Sequence, residues 1–189
     1  RILVVTLGDA KKINAYEVRR AAAAAARWII AERLSSATLW VDGLTTSGVE
    51  QAVAEWAMGM ALAGFRFAEY KQEDEKLPPT VRVDLRAGET GHLERVMAET
   101  REALVVAEAV NYARRLAHQP ANVINPATLA TEAAALARRR KITCTVLKTE
   151  QLAKLGMNGL LAVGQGARYP SCLIQLDYRG ARGARTRTV

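Results

Sequence analysis

Ala37-Thr38-Leu39-Trp40-Val41-Asp42-Gly43, followed after three residues by Ser47-Gly48-Val49-Glu50, decides the fold class. Ala37 to Val41 is a short apolar and β-branched run, which reads as a buried strand. Asp42-Gly43 supplies the turn that leaves it. Ser47 with Glu50 three residues later has the spacing of a capping box, in which each side chain satisfies an orphan donor of a helix's first turn. The helix started there should run to about Ala63, where Gly64 stops it. Upstream, Ile2-Leu3-Val4-Val5-Thr6 reads as another strand, and Asn14 with Glu17 opens an alanine-rich helix from Ala15 to about Leu34. Strand, helix, strand, helix predicts an α/β sandwich in which crossover helices cover a largely parallel sheet.

Further on, Lys71 to Pro79 is charged and ends in Pro78-Pro79, a surface loop, before Thr80–Leu85 resumes strand-like alternation. Ala87 to Gly91 is a turn, and His92 to about Leu116 is a long helix whose length makes it a connector between two domains. Asn125-Pro126 combines an Asx cap with proline at the first helical position, so a helix should run from there to Arg138-Arg139-Arg140-Lys141. Ile142–Leu147 reads as a strand, Thr149 as the cap of a short helix stopped by Gly156, and Leu160–Val163 and Cys172–Tyr178 as two more strands. The domains expected are 1–91, an amino-terminal α/β domain; 92–117, a connector helix; and 118–189, the first segment of a second α/β domain.

Composition bounds the function classes. Half of the 189 residues are apolar and 24% charged, the balance of a globular chain with a real core. No apolar run reaches the roughly 18 residues that a spanning helix needs. Two cysteines, Cys144 and Cys172, make no disulfide framework, and both are expected as free, small apolar residues of strands in a cytoplasmic protein. The net charge is +8, and Arg179, Arg182, Arg185 and Arg187 account for half of it with no acid among them. Arg138 to Lys141 sit where a helix end favours cations. With only 5% aromatic residues, a base-stacking surface is disfavoured and no nucleic-acid partner is expected.

Few residues of the chain are grouped as chemistry requires. A metal centre needs two or three converging His, Cys, Asp or Glu side chains, but the histidines are only His92 and His118, far apart in sequence. His118 reads as a polar helix-end residue and His92 as a helix-start residue. The acidic Glu69–Glu75 run reads as a solvated face. Gly164-Gln165-Gly166 lacks a third glycine and is followed by Pro170, so it is a turn with close backbone packing rather than a dinucleotide fingerprint. Ser47 is accounted for as a cap, and no nucleophile elbow occurs.

Two stretches carry a resemblance. Asn111-Tyr112-Ala113-Arg114-Arg115-Leu116-Ala117-His118-Gln119-Pro120-Ala121-Asn122-Val123-Ile124-Asn125-Pro126, then Leu129-Ala130, resembles the segment of leucine aminopeptidases that enters their catalytic domain. Leu155-Gly156-Met157-Asn158-Gly159-Leu160-Leu161-Ala162-Val163-Gly164-Gln165-Gly166, then Pro170, Leu173-Ile174 and Tyr178-Arg179-Gly180, is similar to the next block of that family in order and spacing. Gly64-Phe65-Arg66-Phe67 and Tyr70-Lys71 resemble part of its amino-terminal α/β domain. The resemblance implies a cytoplasmic, hexameric metalloexopeptidase with two divalent ions, zinc or manganese, that removes amino-terminal residues such as leucine from peptides. The ions of such an enzyme activate a water and polarise the scissile carbonyl.

In that family the metal ligands follow the strand that should begin near Thr186-Arg187-Thr188-Val189, and at the other end Arg1 runs straight into an apolar strand. The expectation is therefore a piece of a longer enzyme. No catalytic, metal or substrate-binding residue is assigned, no metal is expected on this chain, and it should be inactive alone, with the remainder of the catalytic domain as its partner. Gln119-Pro120-Ala121-Asn122 matches a family motif but reads as structural, Pro120 fixing the chain and Asn122 bonding nearby backbone. The alternatives are a non-catalytic nucleotide- or nucleic-acid-binding α/β module, and a regulatory or assembly subunit that kept the scaffold after losing the chemistry.

Overall fold

A computed structural model describes residues 2–9, 12–40, 49–71, 81–86 and 93–180. The chain divides into two compact units, Arg1–His118 and Gln119–Val189. The first holds α1 (Ala15–Ala31), β1 (Ser36–Trp40), α2 (Val49–Ala63), β2 (Arg82–Arg86) and α3 (Leu93–His118). The second holds α4 (Pro126–Arg140), β3 (Thr143–Lys148), α5 (Thr149–Lys154), α6 (Asn158–Gly164) and β4 (Cys172–Asp177). The mixed α/β fold expected from the sequence is the fold found.

In the first unit, the Asn14 side chain accepts from the backbone N–H groups of Tyr16 and Glu17 at 3.0 and 3.2 Å, so α1 starts where the Asn-x-x-Glu spacing put it. Its Val18, Ala21, Ala22, Ala25, Ala26 and Ile29 recur at helical spacing and are buried. The short alanine side chains let α2 approach closely. At Gly59 of α2, a Cβ would stand 2.5 Å from the Arg19 carbonyl oxygen and 2.8 Å from the Ala22 Cβ. Beside this crossing, Arg19 Nε donates to Glu55 Oε2 at 2.7 Å. That hydrogen bond first, and the Glu55 charge with it, raise the guanidinium pKa above its ordinary value against the opposing effect of burial. The stabilisation from the arginine's charge is complete below the ordinary guanidinium range and fades only as pH rises beyond it, so it is constant near neutrality.

β1 and β2 pair in parallel, from Ser36 opposite Arg82 to Trp40 opposite Arg86, with α2 as their crossover. Leu39 from this pair, with Val5, Leu7, Ile13 and Met60, packs on a core of Val18, Ala21, Ala22, Ala25, Val53, Trp56 and Val96. Two expectations are corrected here. β1 is not a buried strand, because the helices cover one face only and Trp40 is 72% exposed on the other. Residues 2–9 form no strand; they have no ladder partner among the described residues, and only Val5 and Leu7 reach the core. The turn at Asp42-Gly43, the cap at Ser47, the Lys71 to Pro79 loop beyond Lys71 and the Ala87 to Gly91 turn lie outside the described residues.

In the second unit the Asn125 side chain accepts from the N–H groups of Ala127 and Thr128, Pro126 occupies the first turn, and the Thr128 hydroxyl accepts from the Asn125 N–H at 2.9 Å. β3 and β4 pair antiparallel, from Thr143 opposite Asp177 to Lys148 opposite Cys172, unlike the parallel first sheet. The short helix α5 is not capped by Thr149, whose hydroxyl donates to the Ser171 carbonyl at 3.0 Å; instead Gln151 Oε1 accepts from the Lys148 N–H at 2.9 Å. Leu160–Val163 is helical rather than a strand, within α6. A four-residue apolar run carries no period of its own, and among the described residues no strand pairs with it. Gly164, the last residue of α6, does pack closely, because a Cβ there would overlap the Ser171 side chain, whereas Gly166 faces open space.

Two helices close through a non-glycine residue in the left-handed region. After α1, Leu34 N–H donates to the Ile29 carbonyl and Arg33 N–H to the Ile30 carbonyl, both at 3.1 Å, with Arg33 at φ 52°. After α4, Lys141 takes φ 55° while Ile142 N–H donates to Ala137. This is the Schellman arrangement with a β-carbon in the left-handed region, which disfavours ordinary side chains by about 1 kcal/mol. Arg33→Gly is therefore expected to raise unfolding stability by roughly 0.5–1 kcal/mol. Gly59→Ala, although it adds helix propensity, is expected to lower stability by about 1 kcal/mol or more because the α1–α2 crossing must open. Urea denaturation of the two variants checks both signs.

Candidate functional site

A cluster of polar contacts in the first unit lies where α2 ends. The last carbonyls of a helix have no partner within it and need donors from elsewhere. Asn111, Arg114 and His118 stand three and four residues apart on α3, hence on one face, and supply them. Asn111 Nδ2 donates to the Ala61 carbonyl at 3.0 Å, and Arg114 donates to the Leu62 carbonyl at 2.8 Å and to Asn111 Oδ1 at 3.0 Å. The Arg114 guanidinium also lies 4.2 Å from the centre of the Phe65 ring, a cation–π contact. The His118 Nδ1 is 2.7 Å from the Arg114 carbonyl, which can only accept, so this nitrogen carries the proton. Its ring centre is 5.8 Å from that of Phe65 and 5.6 Å from that of Phe67, and Phe67 meets Tyr70 edge-on at 5.7 Å.

These contacts make a clamp on the end of α2. The donors of Asn111 and Arg114 are aimed at main-chain oxygens. His118 is thus a helix-end residue, as its sequence position implied, and it also closes an aromatic stack that the sequence did not reveal. The 3–4 spacing of Asn111, Arg114 and His118 was a readable signal. The carbonyls it would serve were not, being some fifty residues away.

The remaining candidates are dispersed. Pro120 opens a turn in which its carbonyl accepts from Val123 and Ile124 N–H groups at 2.9 and 3.0 Å. The side chain that ties this segment is that of Thr128, donating to the Val123 carbonyl at 2.8 Å, rather than Asn122. Cys144 and Cys172 are free and half-buried. Cys172 faces Lys148 across the sheet, four residues along β3 from Cys144, which puts the thiols about 13 Å apart and beyond disulfide reach. The Cys172 thiol donates to the Pro126 carbonyl at 3.3 Å. Arg138 to Arg140 occupy the last turn of α4, where they complement its dipole. His92, Ser47, the residues of the acidic run from Glu73 to Glu75, and Arg182, Arg185 and Arg187 lie outside the described residues.

Between α4 and the β3–β4 pair a cavity of about 620 Å³ is floored by Ala127, Ala130 and Ala134 and rimmed by Arg138, Lys148 and Glu150. Among the described residues no three His, Cys, Asp or Glu side chains lie together as a metal site, and no helix is long and apolar enough to cross a membrane.

Comparison with known proteins gives this scaffold its place. Residues 1–74 match the model of the cytosol aminopeptidase family's N-terminal domain, and residues 111–189 match the model of the same family's catalytic domain, in that order. The chain belongs to the cytosol aminopeptidase family. The probable cytosol aminopeptidase of Syntrophotalea carbinolica is 37% identical over 183 residues, and that of Geotalea uraniireducens 35% identical over 187. Each alignment takes in 95% of this chain but only 37% and 36% of the relative, so the chain spans little more than a third of their length. Among solved structures, the bottromycin maturation enzyme BotP in complex with Mn aligns with a TM-score of 0.73 at 29% identity, over 93% of this chain and 36% of that one. A mutant tomato leucine aminopeptidase shares the fold, with a TM-score of 0.75 at 24% identity over 88% of this chain and 34% of its own.

The match to the cytosol aminopeptidase catalytic domain begins at Asn111, the residue that caps α2, although α3 packs within the first unit through His118. Arg114→Ala is expected to destabilise that unit by about 2 kcal/mol, because it strips a charged donor from a half-buried carbonyl. Arg114→Lys should recover little of this, since an ammonium lacks the planar guanidinium face that lies on Phe65 while one of its nitrogens bonds Leu62 and Asn111. Unfolding followed by tryptophan fluorescence, with Trp56 in the core, distinguishes the two.

Proposed function

We propose that this chain is the amino-terminal part of a metal-dependent leucyl aminopeptidase that removes amino-terminal residues from peptides. The observation that carries the reading is the pair of family matches, amino-terminal domain then catalytic domain, in one chain. Identity across nearly the whole chain to relatives named probable cytosol aminopeptidases supports it. The complete enzyme depends on two divalent ions, zinc or manganese, works in the cytoplasm and assembles as a hexamer. Manganese in the structure of the BotP relative is in keeping with this.

Within this reading residues 1–91 are the amino-terminal α/β domain, 92–117 the connecting helix, and 118–189 the opening segment of the catalytic domain. The described residues offer no set of metal-binding side chains and do not fit a two-metal centre, so no step of the reaction is assigned to them. Their contribution is a scaffold, and their partner is the remainder of the catalytic domain. Residues 1–189 alone are inactive.

The decisive experiment compares this chain with one extended over the full length of its relatives. Residues 1–189 should neither hydrolyse a leucine anilide nor bind manganese at micromolar concentration by calorimetry, whereas the extended chain should do both. Turnover by residues 1–189 would overturn the assignment of the chemistry elsewhere, and an inert extended chain would overturn the peptidase reading.

The same reading has a consequence for association. Each sheet has two strands among the described residues, and Ile2, Trp40 and Val163 are 92, 72 and 87% exposed. Bare apolar surface and open strand edges promote self-pairing. Light scattering of residues 1–189 should give a mass above that of one chain, and a monodisperse monomer would count against the missing-partner account.

A further inference from the structure

We draw no further inference here: the strongest candidate, the cavity between α4 and the β3–β4 pair with its alanine floor and its rim of Arg138, Lys148 and Glu150, carries none because nothing in the structure shows what covers it.

Discussion

The first unit is organised around α2, which α1 flanks at Gly59 and which α3 holds at its end. A helix packed in this way cannot leave its terminal carbonyls to water, and an unsatisfied buried acceptor costs about 1–3 kcal/mol. Asn111 and Arg114 meet that requirement at Ala61 and Leu62. Because both side chains project from one face of α3, satisfying the carbonyls also fixes the rotation and register of α3 against α2. The aromatic residues that follow α2 are drawn in by the same contact, Phe65 under the guanidinium and Phe67 beside His118.

The contact of α2 with α1 obeys a steric rule instead. Six consecutive alanines give α1 a smooth surface, and the bare Gly59 lets the two backbones approach to a distance that no Cβ would permit. Burial per residue is small on such a surface, so the stability of this contact rests on close packing over many atoms rather than on large side chains. Trp56 and Val96 supply the bulk that the alanines lack.

Helices were legible in the sequence because their signals are local. Asn14, Asn125 with Pro126, and Gly64 each mark an end within a residue or two of where the structure puts it. The errors fall where the deciding partner is distant. Ile2 to Thr6 has strand composition, but a strand exists only with a neighbour to bond, and the described residues provide none. Leu160–Val163 has the composition of a strand too, yet it lies in α6 between the turn at Gly156 and the close packing of Gly164 on Ser171. Thr149 looked like a cap because a threonine before a short helix usually is one; its hydroxyl was instead taken by a carbonyl 22 residues away.

The polar motif from Asn111 to Asn122 shows the same division in functional terms. As sequence it was recognisable only by resemblance, with His118 read as a polar helix-end residue and Gln119-Pro120-Ala121-Asn122 as structural. The geometry supplies the partners: the amide and the guanidinium serve main-chain oxygens, the imidazole donates to the turn before it, and the nearest ring neighbours are apolar. A side chain so engaged fixes the elements it joins. Family signatures of this kind therefore mark two different things, residues that react and residues that make the reactive ones possible. In this chain the clamp at the end of α2 holds α3 against the end of that helix.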